Sequence, residues 1–435
     1  MDKNTHEVRD PIHVFIRYDS AERVVIDSAA VQRLRHIHQL AMSYLVYPGA
    51  THRRFEHSLG VMELSGHVFD IVTRQENVSD NIREQLPQLT KPDELRYWRR
   101  VLRMAALCHD VGHLPFSHAA EKELLPEGHG HEQLSREIIL GADMRGIWDS
   151  MTPPLRAEDI AKIALGPKEA KGVKFSVWET ILSEIIVGDA FGVDRMDYLI
   201  RDSHHSGVLY GRFDHHRLID TLRILSTPDS GEPALGVEQG GVQSAEAMLW
   251  ARYFMYSQVY FHQVRRIYDI HLKDFLVSWL DGGKFSTDIR QHLQMTDNEV
   301  MAALLKESRN PGSKASDPAR RIVSHDHFRL LYERHPSDVA QNRDAGKLIF
   351  EAVADKFGEK NIRRDSYTQR SGVFDFPVQR KDDRTVSSLL VSGTLGKMPV
   401  VAVDYIYIVR EKRDEAHKWL ESNRRSILEK REAEN

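Results

Sequence analysis

The chain has 435 residues, 41% of them hydrophobic and 29% charged, and its formal net charge is -4. This balance is typical of a globular protein, and the length predicts a large core and more than one structural unit. A net charge so close to zero gives no electrostatic reason to expect nucleic acid or a membrane surface as a partner. The one cysteine, Cys108, excludes a disulfide within the chain. With no apolar run near the roughly 18 residues of a membrane span, we expect a cytoplasmic protein without membrane contact.

The N-terminal region begins with a predicted hairpin and continues with helices. Residues 10–27 alternate apolar and polar side chains around Asp19-Ser20, which predicts a small hairpin that turns there. From residue 28 to Leu40 apolar residues recur at three-residue steps, as in a helix. The next helical segment, EHSLGVMELSGHVFDIV, places His57 on the same face as its apolar residues. We therefore expect His57 to face the core.

The middle of the chain is predicted to be mainly helical. The stretch YWRRVLRMAALCHD predicts a helix that is buried on most of its surface and stops before Gly112 and Pro115. A strand pair with the turn TPDSGEP is predicted over residues 222–239. Further helices are predicted at 132–141, 156–165, 177–190, 193–205, 244–280 and 296–306.

The segment KESRNPGSKASDPAR, residues 306–320, is polar and contains glycine and proline, which is typical of a linker. Beyond it, the residues up to 410 include strand-like segments, and residues 411–435 predict a charged helix. We predict a mainly α fold with a helical catalytic domain over residues 1–305, comprising a small N-terminal hairpin, motifs at 10–220 and a helical extension at 244–305. Residues 321–435 are predicted to form a smaller α+β region.

Histidine is clustered: five of the 23 fall between His109 and His131, and four between His204 and His216. The pair His109-Asp110 closes a buried helix, and imidazole with carboxylate suits Mn, Fe, Zn or Ni, with less preference for Mg. His57 and Asp194 are the candidates that complete a ligand set. A single inward histidine is more often a hydrogen-bonded core residue, so the coincidence of all four groups carries the prediction of a metal site.

A second pattern lies on the helix that begins near Asp194. Arg195, Tyr198 and Asp202 stand at positions i, i+3 and i+7, on one helix face. A cation, a phenol and a carboxylate beside a metal suit a nucleotide, and Arg54 is placed to reach a phosphate because guanidinium donates bidentate hydrogen bonds. Taken alone, Arg195 with Asp202 would favour a helix-surface ion pair.

These residues, in this order, resemble the H…HD…D pattern of the HD-domain phosphohydrolases. The phrases VQRLRHIHQL, YPGATHRRFEHSLGV, ALCHDVGHLPFSH, GHEQLS and VDRMDYLIRDSHHSG are most similar to the deoxynucleoside triphosphate triphosphohydrolases of that superfamily, and they span about residues 10–220. The resemblance implies a helical HD fold and hydrolysis of a dNTP to deoxynucleoside and tripolyphosphate. It also implies a divalent metal (Mn, Mg, Fe, Ni or Zn) held by four ligands: His57, His109, Asp110 and Asp194.

The resemblance further implies catalytic roles for the histidines near the metal. His131 would act near the α-phosphate, with His113 and His118 lining the phosphate site. Glu121 stands where close relatives carry an aspartate paired with that catalytic histidine. A glutamate at this position has a longer side chain than aspartate, so its carboxylate reaches further.

Substrate contacts follow from the same resemblance. Gln39 and Leu40 correspond to residues that contact the nucleoside, and Leu40 would crowd out a 2′-hydroxyl. The resemblance implies that the phosphate and the sugar are contacted by Arg54, Arg195, Tyr198 and Asp202. Ala41-Met42-Ser43 replaces a Gly-rich stretch of the relatives. A helix of the family contacts the sugar. At the corresponding place in this chain, the candidates for sugar contacts are His262, Arg266 and Tyr268.

An activator site is also implied. Asp27, Gln32 and Arg35 match positions of a guanine-nucleotide activator site, and Arg217 matches another allosteric contact whose aromatic partner is replaced by Thr221. Activation by GTP or a dNTP would accompany a homo-oligomer, a dimer or tetramer, because such sites lie between subunits in the family.

Two other classes of function stay open from the sequence. One is an HD enzyme with another substrate, such as a phosphodiesterase, a nucleotidase or a nuclease. The other is a nucleotide-sensing regulatory protein that binds without turnover, although retention of all four predicted ligands and His131 favours an enzyme. Nucleic acid is not indicated as a partner, because the chain lacks a basic stripe with interleaved aromatic residues.

Overall fold

The computed structural model describes residues 5–117, 121–368 and 374–429. Within these ranges the chain is mainly helical, with three small sheets, which confirms the predicted fold class. The helices are α1 (Ser20–Ile26), α2 (Ala29–Arg33), α3 (Arg54–Val72), α4 (Asp80–Gln85), α5 (Pro92–Cys108), α6 (Glu121–Leu124), α7 (His131–Leu140), α8 (Ala142–Ser150), α9 (Ala157–Glu169), α10 (Val177–Val187), α11 (Val193–Ser206), α12 (His215–Asp220), α13 (Val242–Met255), α14 (Gln263–Trp279), α15 (Ile289–Gln294), α16 (Asp297–Glu307), α17 (Ser316–Val323), α18 (Pro336–Gln341), α19 (Ala345–Phe357), α20 (Ser388–Val391) and α21 (Arg413–Leu428). The strands are β1 (Thr5–Asp10), β2 (Val14–Asp19), β3 (Leu222–Ser226), β4 (Pro233–Glu238), β5 (Arg329–Glu333), β6 (Ile362–Thr368), β7 (Pro377–Gln379), β8 (Thr385–Ser387) and β9 (Ala402–Ile408).

The chain divides into two compact units, each built from separate segments. Unit 1 comprises Met1–Met255, Phe285–Val300 and Gly372–Met398, and unit 2 comprises Tyr256–Lys284, Met301–Ser371 and Pro399–Asn435. This division differs from the predicted boundary at residues 306–320. The reason is strand pairing: β7 lies parallel to β4 and pairs with β8, so a late segment returns to unit 1. The predicted linker is also partly helical, since α17 begins within it.

The N-terminal hairpin is present, but its predicted turn was wrong. β1 and β2 pair antiparallel with Asp10 opposite Val14, so the turn lies at residues 11–13. Asp19 instead caps α1: its side chain accepts the amide of Glu22, and the Glu22 carboxylate accepts the amide of Asp19. This reciprocal capping box starts a helix where the alternation of side chains suggested a turn.

Two predicted helices are shorter than their apolar periodicity suggested. The helix predicted from residue 28 to Leu40 ends its regular part at Arg33, and Gln39 and Leu40 lie in a loop. There the backbone N–H of His38 donates to the Asp297 side chain at 2.7 Å, outside any helical pattern. The long helix predicted over 244–280 is interrupted at Tyr256–Tyr260 by a wider π-helical turn, so that α13 and α14 are separate.

Three helices of unit 1 carry the predicted metal ligands. α3 packs against α5, and α11 packs against α3. α5 starts with Pro92 and acidic residues, as expected for a helix N-terminus, and its second half is buried. α11 ends at Gly207, which adopts a left-handed conformation with φ 73°, a frequent helix stop. Local sequence signals therefore place the ends of the helices from which the site is built.

Unit 2 contains the antiparallel sheet β5–β9–β6. α19 and α21 pack against this sheet and against each other, and the apolar face between them includes Ile349, Val353, Ile406 and Leu420. The predicted α+β character of the C-terminal region is confirmed by these elements. Among the described helices of both units, none is both long and apolar enough to cross a membrane.

Candidate metal centre and active site

The four side chains predicted as metal ligands lie together in unit 1. His57 comes from the first turns of α3, His109 and Asp110 directly follow α5, and Asp194 lies in the first turn of α11. The Nε2 atom of His57 is 3.0 Å from Oδ1 of Asp194 and 3.8 Å from Oδ2 of Asp110. The Nε2 atom of His109 is 3.4 Å and 3.3 Å from Oδ1 of the same two aspartates.

The three separations of 3.0, 3.3 and 3.4 Å fit ligands of a single metal ion. Imidazole nitrogen and carboxylate oxygen bind such ions at about 2.1 Å, so neighbouring ligand atoms stand about 3.0–3.4 Å apart in tetrahedral or octahedral geometry. Nε2 of His57 and Nε2 of His109 are both buried and have no hydrogen-bond partner in the described chain. A buried polar atom without a partner is costly unless something binds it, so the donor set and its geometry suit a divalent transition metal.

Each imidazole is held through its other nitrogen. Nδ1 of His57 donates to Oδ2 of Asp197 at 2.8 Å, and Nδ1 of His109 donates to the carbonyl of Ala106 at 2.7 Å. A proton on Nδ1 leaves the lone pair on Nε2, where a metal would bind. Sequence analysis did not identify Asp197, although its position three residues after Asp194, on the same helix face, was an available signal.

Burial and charge oppose each other in this cluster. Burial alone would lower the pKa of His57, but Asp194 and Asp197 outweigh it and raise that pKa to about 10. Burial alone would raise the pKa of Asp194, but His109 and His57 hold it below its ordinary value. Metal binding at these ligands would displace the protons that they hold.

A second cluster contains the residues predicted to act on the phosphate. Nε2 of His113 lies 3.1 Å from Oδ1 of Asp110, and the His113 ring stacks on the His131 ring at 3.8 Å between centroids. Glu121 accepts the backbone N–H of His131 and lies 2.8 Å from its Nδ1. Glu132, which sequence analysis did not single out, places a second carboxylate 3.4 Å from the same nitrogen. The predicted His118 lies outside the described residues.

The two histidines of this cluster differ in their acidity. Burial alone would lower the pKa of His131, but the hydrogen bond and charge of Glu121 outweigh it and raise that pKa. Burial lowers the pKa of His113 well below its ordinary value, and Arg54 and His131 lower it further. His131 is therefore the member of the stacked pair that holds a proton more tightly.

The four residues predicted to contact phosphate and sugar differ in the groups with which they form contacts. Arg54 reaches the metal cluster, with Nη1 2.5 Å from Oδ2 of Asp110. Arg195 donates to the carbonyl groups of Gly188, at 2.7 Å, and Asp189. Tyr198 is half-buried on α11, while Asp202 is buried and lies 2.7 Å from Nε2 of His52. Arg54 thus has a direct hydrogen bond to a predicted metal ligand.

A cleft of about 720 Å³ opens beside the metal cluster. Its walls include His109, Asp110, Asp194 and His131, and further lining residues come from the segments 164–169, 183–191 and 374–377. This volume is within the range of small-molecule sites, about 300–1,000 Å³. Gln39 and Leu40, the predicted nucleoside contacts, are nearly buried in their loop and are not among the residues described as lining this cleft.

The residues predicted for an activator site lie on the surface of unit 1. The side chain of Gln32 accepts Nε–H of Arg35 at 2.8 Å, and Asp27 is exposed at the end of α1. The Arg35 guanidinium stands 3.6 Å over the Phe55 ring. Arg217, the fourth member, is exposed on α12.

The candidates for the sugar-reading helix belong to unit 2. His262 caps α14 by accepting the amide of Val264, and Arg266 makes a two-pronged ion pair with Asp365 at 2.6 Å for each contact. Tyr268 is buried, and its hydroxyl is 3.1 Å from Nδ1 of His325. Each of the three thus has a structural partner within unit 2.

Comparison with known proteins gives a family match over the part of the chain that contains these residues. The HD domain family matches residues 54–199, which include all four predicted ligands, and the HD associated region matches residues 213–394. A solved structure of a hypothetical protein from Aquifex aeolicus is 32% identical, has a TM-score of 0.78, and covers 96% of this chain and all of that one.

Curated relatives include proteins with and without a known activity. An uncharacterized protein from Methanocaldococcus jannaschii is 34% identical over 70% of this chain and 55% of its own length. The deoxynucleoside triphosphate triphosphohydrolase SAMHD1 is 30% identical in Gallus gallus, over 76% of this chain and 56% of the relative, and 30% identical in Homo sapiens, over 75% and 54%. The chain thus spans about half the length of these curated relatives. Because the family match falls on the helices that bring the His and Asp cluster together, the chain belongs to the HD-domain phosphohydrolase family.

Proposed function

We propose that the protein is a metal-dependent deoxynucleoside triphosphate triphosphohydrolase, which converts a dNTP and water to deoxynucleoside and tripolyphosphate. The observation that carries this proposal is the juxtaposition of the two clusters: His113 contacts the predicted ligand Asp110 and stacks on His131. The predicted metal ligands and a histidine whose pKa is raised therefore stand side by side. The 30% identity to triphosphohydrolases supports the choice of substrate.

The residues of the two clusters have complementary roles in this reaction. His57, His109, Asp110 and Asp194 would hold a divalent cation, whose Lewis acidity activates water and offsets phosphate charge. Water attacks the α-phosphorus, and the bond from that phosphorus to the 5′-oxygen breaks. His131, held by Glu121, donates its proton to the departing 5′-oxygen.

Two arginines complete the charge balance. Arg54, already beside Asp110, offsets the negative charge that develops on the α-phosphate. Arg195 donates hydrogen bonds to the triphosphate once its guanidinium has turned away from the carbonyl groups of Gly188 and Asp189. Tyr198 and Asp202 are assigned to the sugar, and Gln39 with Leu40 to the nucleoside.

A nucleotide panel tests the proposed reaction. The full chain is incubated with Mn²⁺ or Mg²⁺ and each dNTP or rNTP, with and without GTP or mixed dNTPs, and the products are separated by chromatography. Tripolyphosphate with deoxynucleoside supports the proposal. Monophosphate products, or activity on oligonucleotides or cyclic dinucleotides alone, would select a phosphodiesterase, nucleotidase or nuclease, and binding without turnover would select a nucleotide sensor.

We expect Glu121→Gln to narrow the pH range of activity. A general acid must be protonated, so activity falls as the pH rises through the pKa of His131. Glu121 raises that pKa, and its neutral replacement should therefore move the alkaline limb of the kcat/KM profile to lower pH. If the alkaline limb is unchanged in this variant, His131 is not the general acid.

We expect Leu40→Ala to weaken the preference for deoxyribose. If Leu40 excludes a 2′-hydroxyl by crowding, its truncation should raise the kcat/KM for a ribonucleotide relative to the matching deoxyribonucleotide by about 10-fold. Leu209→Ala is the matched control, since the Leu209 side chain is 70% exposed. Equal ratios for Leu40→Ala and the parent would assign sugar selection to other residues.

We also propose nucleotide activation of a cytoplasmic homo-oligomer, supported by the grouping of Gln32 and Arg35 on the surface of unit 1. Light scattering after size exclusion, with and without GTP or dNTPs, tests this assembly. A dimer or tetramer that GTP or a dNTP stabilises is expected. A monomer under every condition would contradict it.

A further inference from the structure

A buried network surrounds Asp197, on the same helix as the predicted ligand Asp194. Oδ2 of Asp197 accepts Nδ1–H of His57 and Nε–H of Arg201, both at 2.8 Å. Oδ1 of Asp197 accepts from Nη2 of Arg201 at 2.9 Å and lies 2.6 Å from Nε2 of His13. The side chains of Asp197 and Arg201 are 0% exposed and that of His57 is 1% exposed. Asp197 therefore joins a predicted metal ligand to the turn of the N-terminal hairpin.

A purely structural ion pair would not need this arrangement. Arg201 already has a second carboxylate, Asp10, 2.8 Å from its Nη1, so its charge does not require the contacts that Asp197 makes with the imidazoles. Asp197, held by Arg201 and His13, is thus a fixed acceptor for the Nδ1–H of His57.

The neighbouring helix makes room for this carboxylate. A Cβ atom at Gly60 would lie 2.0 Å from Oδ1 of Asp197 and 2.6 Å from Nη2 of Arg201. Gly60 follows His57 by three residues on α3 and so lies on the same helix face. The absence of a side chain at this position lets Asp197 approach α3 and reach the His57 ring.

The turn of the hairpin supports Asp197 from the other side. His13 lies in the turn between β1 and β2, and its backbone N–H donates to Oδ1 of Asp10 at 2.9 Å. Asp10 and His13 together thus fix the hairpin turn against Arg201 and Asp197. His109 differs, because its Nδ1 partner is the backbone carbonyl of Ala106. Of the two predicted imidazole ligands, His57 is the one whose Nδ1 partner can be replaced by mutation.

We propose that Asp197 is a positioning residue for the metal centre. It fixes the tautomer and ring orientation of His57, so that Nε2 faces the metal, and His13 in turn fixes Asp197. The inference rests on the proposed function in requiring that a metal binds at His57. Outer partners of this kind typically change metal affinity or activity by about 10–100-fold when they are removed.

The test measures metal affinity and does not depend on turnover. Zn²⁺ binding to the full chain is measured by competition with a chromogenic chelator, for the parent, Asp197→Asn and a matched control, Glu22→Gln. Glu22 is also a buried carboxylate paired with a buried arginine, Arg103, at 2.6 Å. We expect Asp197→Asn to weaken Zn²⁺ binding about 10–100-fold and Glu22→Gln to leave it unchanged, with thermal melts giving the folded fraction of each.

Two results would overturn the inference. One is parent affinity in Asp197→Asn, and the other is an equal loss in both variants, which would reflect general destabilisation. If Asp197→Asn does not fold, the histidine ¹⁵N spectrum of the Zn²⁺-loaded parent decides: Nε2 coordination with a proton on Nδ1 of His57 supports the inference, and Nδ1 coordination overturns it. A parent that binds Zn²⁺ but never releases tripolyphosphate would overturn the proposed function alone.

Discussion

Replacing His109 with alanine is expected to abolish turnover and to lower the amount of bound metal. His109 supplies one of the two predicted imidazole ligands, and its buried Nε2 atom has no hydrogen-bond partner in the described chain, so its removal takes away a ligand directly. Metal catalysis contributes several kcal/mol of transition-state stabilisation, and we therefore expect kcat to fall by about 10³-fold or more. Asp110→Ala should have the same effect. Metal content after dialysis and tripolyphosphate release are the two measurements.

The matched control for this prediction is His67→Ala. His67 lies on α3, as does His57, but its side chain is 55% exposed and pairs with Glu63. It should retain parent metal content and turnover. Full activity of His109→Ala or Asp110→Ala would refute the metal assignment, whereas loss of activity in His67→Ala as well would point to damage of the helix pair.

His131→Ala is expected to keep the metal and slow the chemistry. His131 lies outside the four-ligand cluster and is oriented by Glu121 at 2.8 Å, so its removal should leave the ligands in place. Loss of a general acid typically costs about 10²- to 10⁴-fold in rate, and we expect a kcat lower by that factor. Single-turnover rates and metal content check the two halves of the prediction.

His129→Ala is the control for His131, because His129 is an exposed histidine two residues earlier in the chain. It should turn over at the parent rate. A substrate with a better leaving group than the 5′-alkoxide, such as a p-nitrophenyl ester, provides a second check, since it needs less protonation. Rescue of His131→Ala by such a substrate is expected, and loss of metal from this variant would contradict the assigned role.

The helices that carry the site were predictable because their signals are local. His57 shares a face with core residues of α3, and the apolar run of α5 ends directly before His109 and Asp110. α11 ends at a glycine, Gly207. The mutual proximity of the four predicted ligands required more than periodicity, and it was expected from the resemblance to HD-domain phosphohydrolases.

The support of the site was not predictable from local pattern. His13 and Asp197 are separated by 184 positions in the chain and meet because the hairpin packs against α11. His52 and Asp202 are likewise 150 positions apart and meet in the core. The sequence spacing predicts neither pair, because both contacts depend on tertiary packing and not on the period of a helix or a strand.

The errors of prediction have a common physical origin. At Asp19 a capping box overrode the turn that side-chain alternation suggested. At His38 a side chain from a distant segment, Asp297, accepts the backbone N–H and ends the helical pattern. The unit boundary was misplaced because β7 returns to pair with β4. In each case hydrogen-bond partners, which the apolar pattern does not record, decided the local structure.

In the proposed reaction, water attacks the α-phosphorus at the metal cluster and tripolyphosphate is released. Turnover of an equimolar dNTP mixture with Mn²⁺ in H₂¹⁸O, followed by mass spectrometry of both products, tests it most directly. We expect tripolyphosphate that carries one ¹⁸O atom and an unlabelled deoxynucleoside. Release of deoxynucleoside monophosphate with pyrophosphate, or ¹⁸O in the deoxynucleoside, would contradict it.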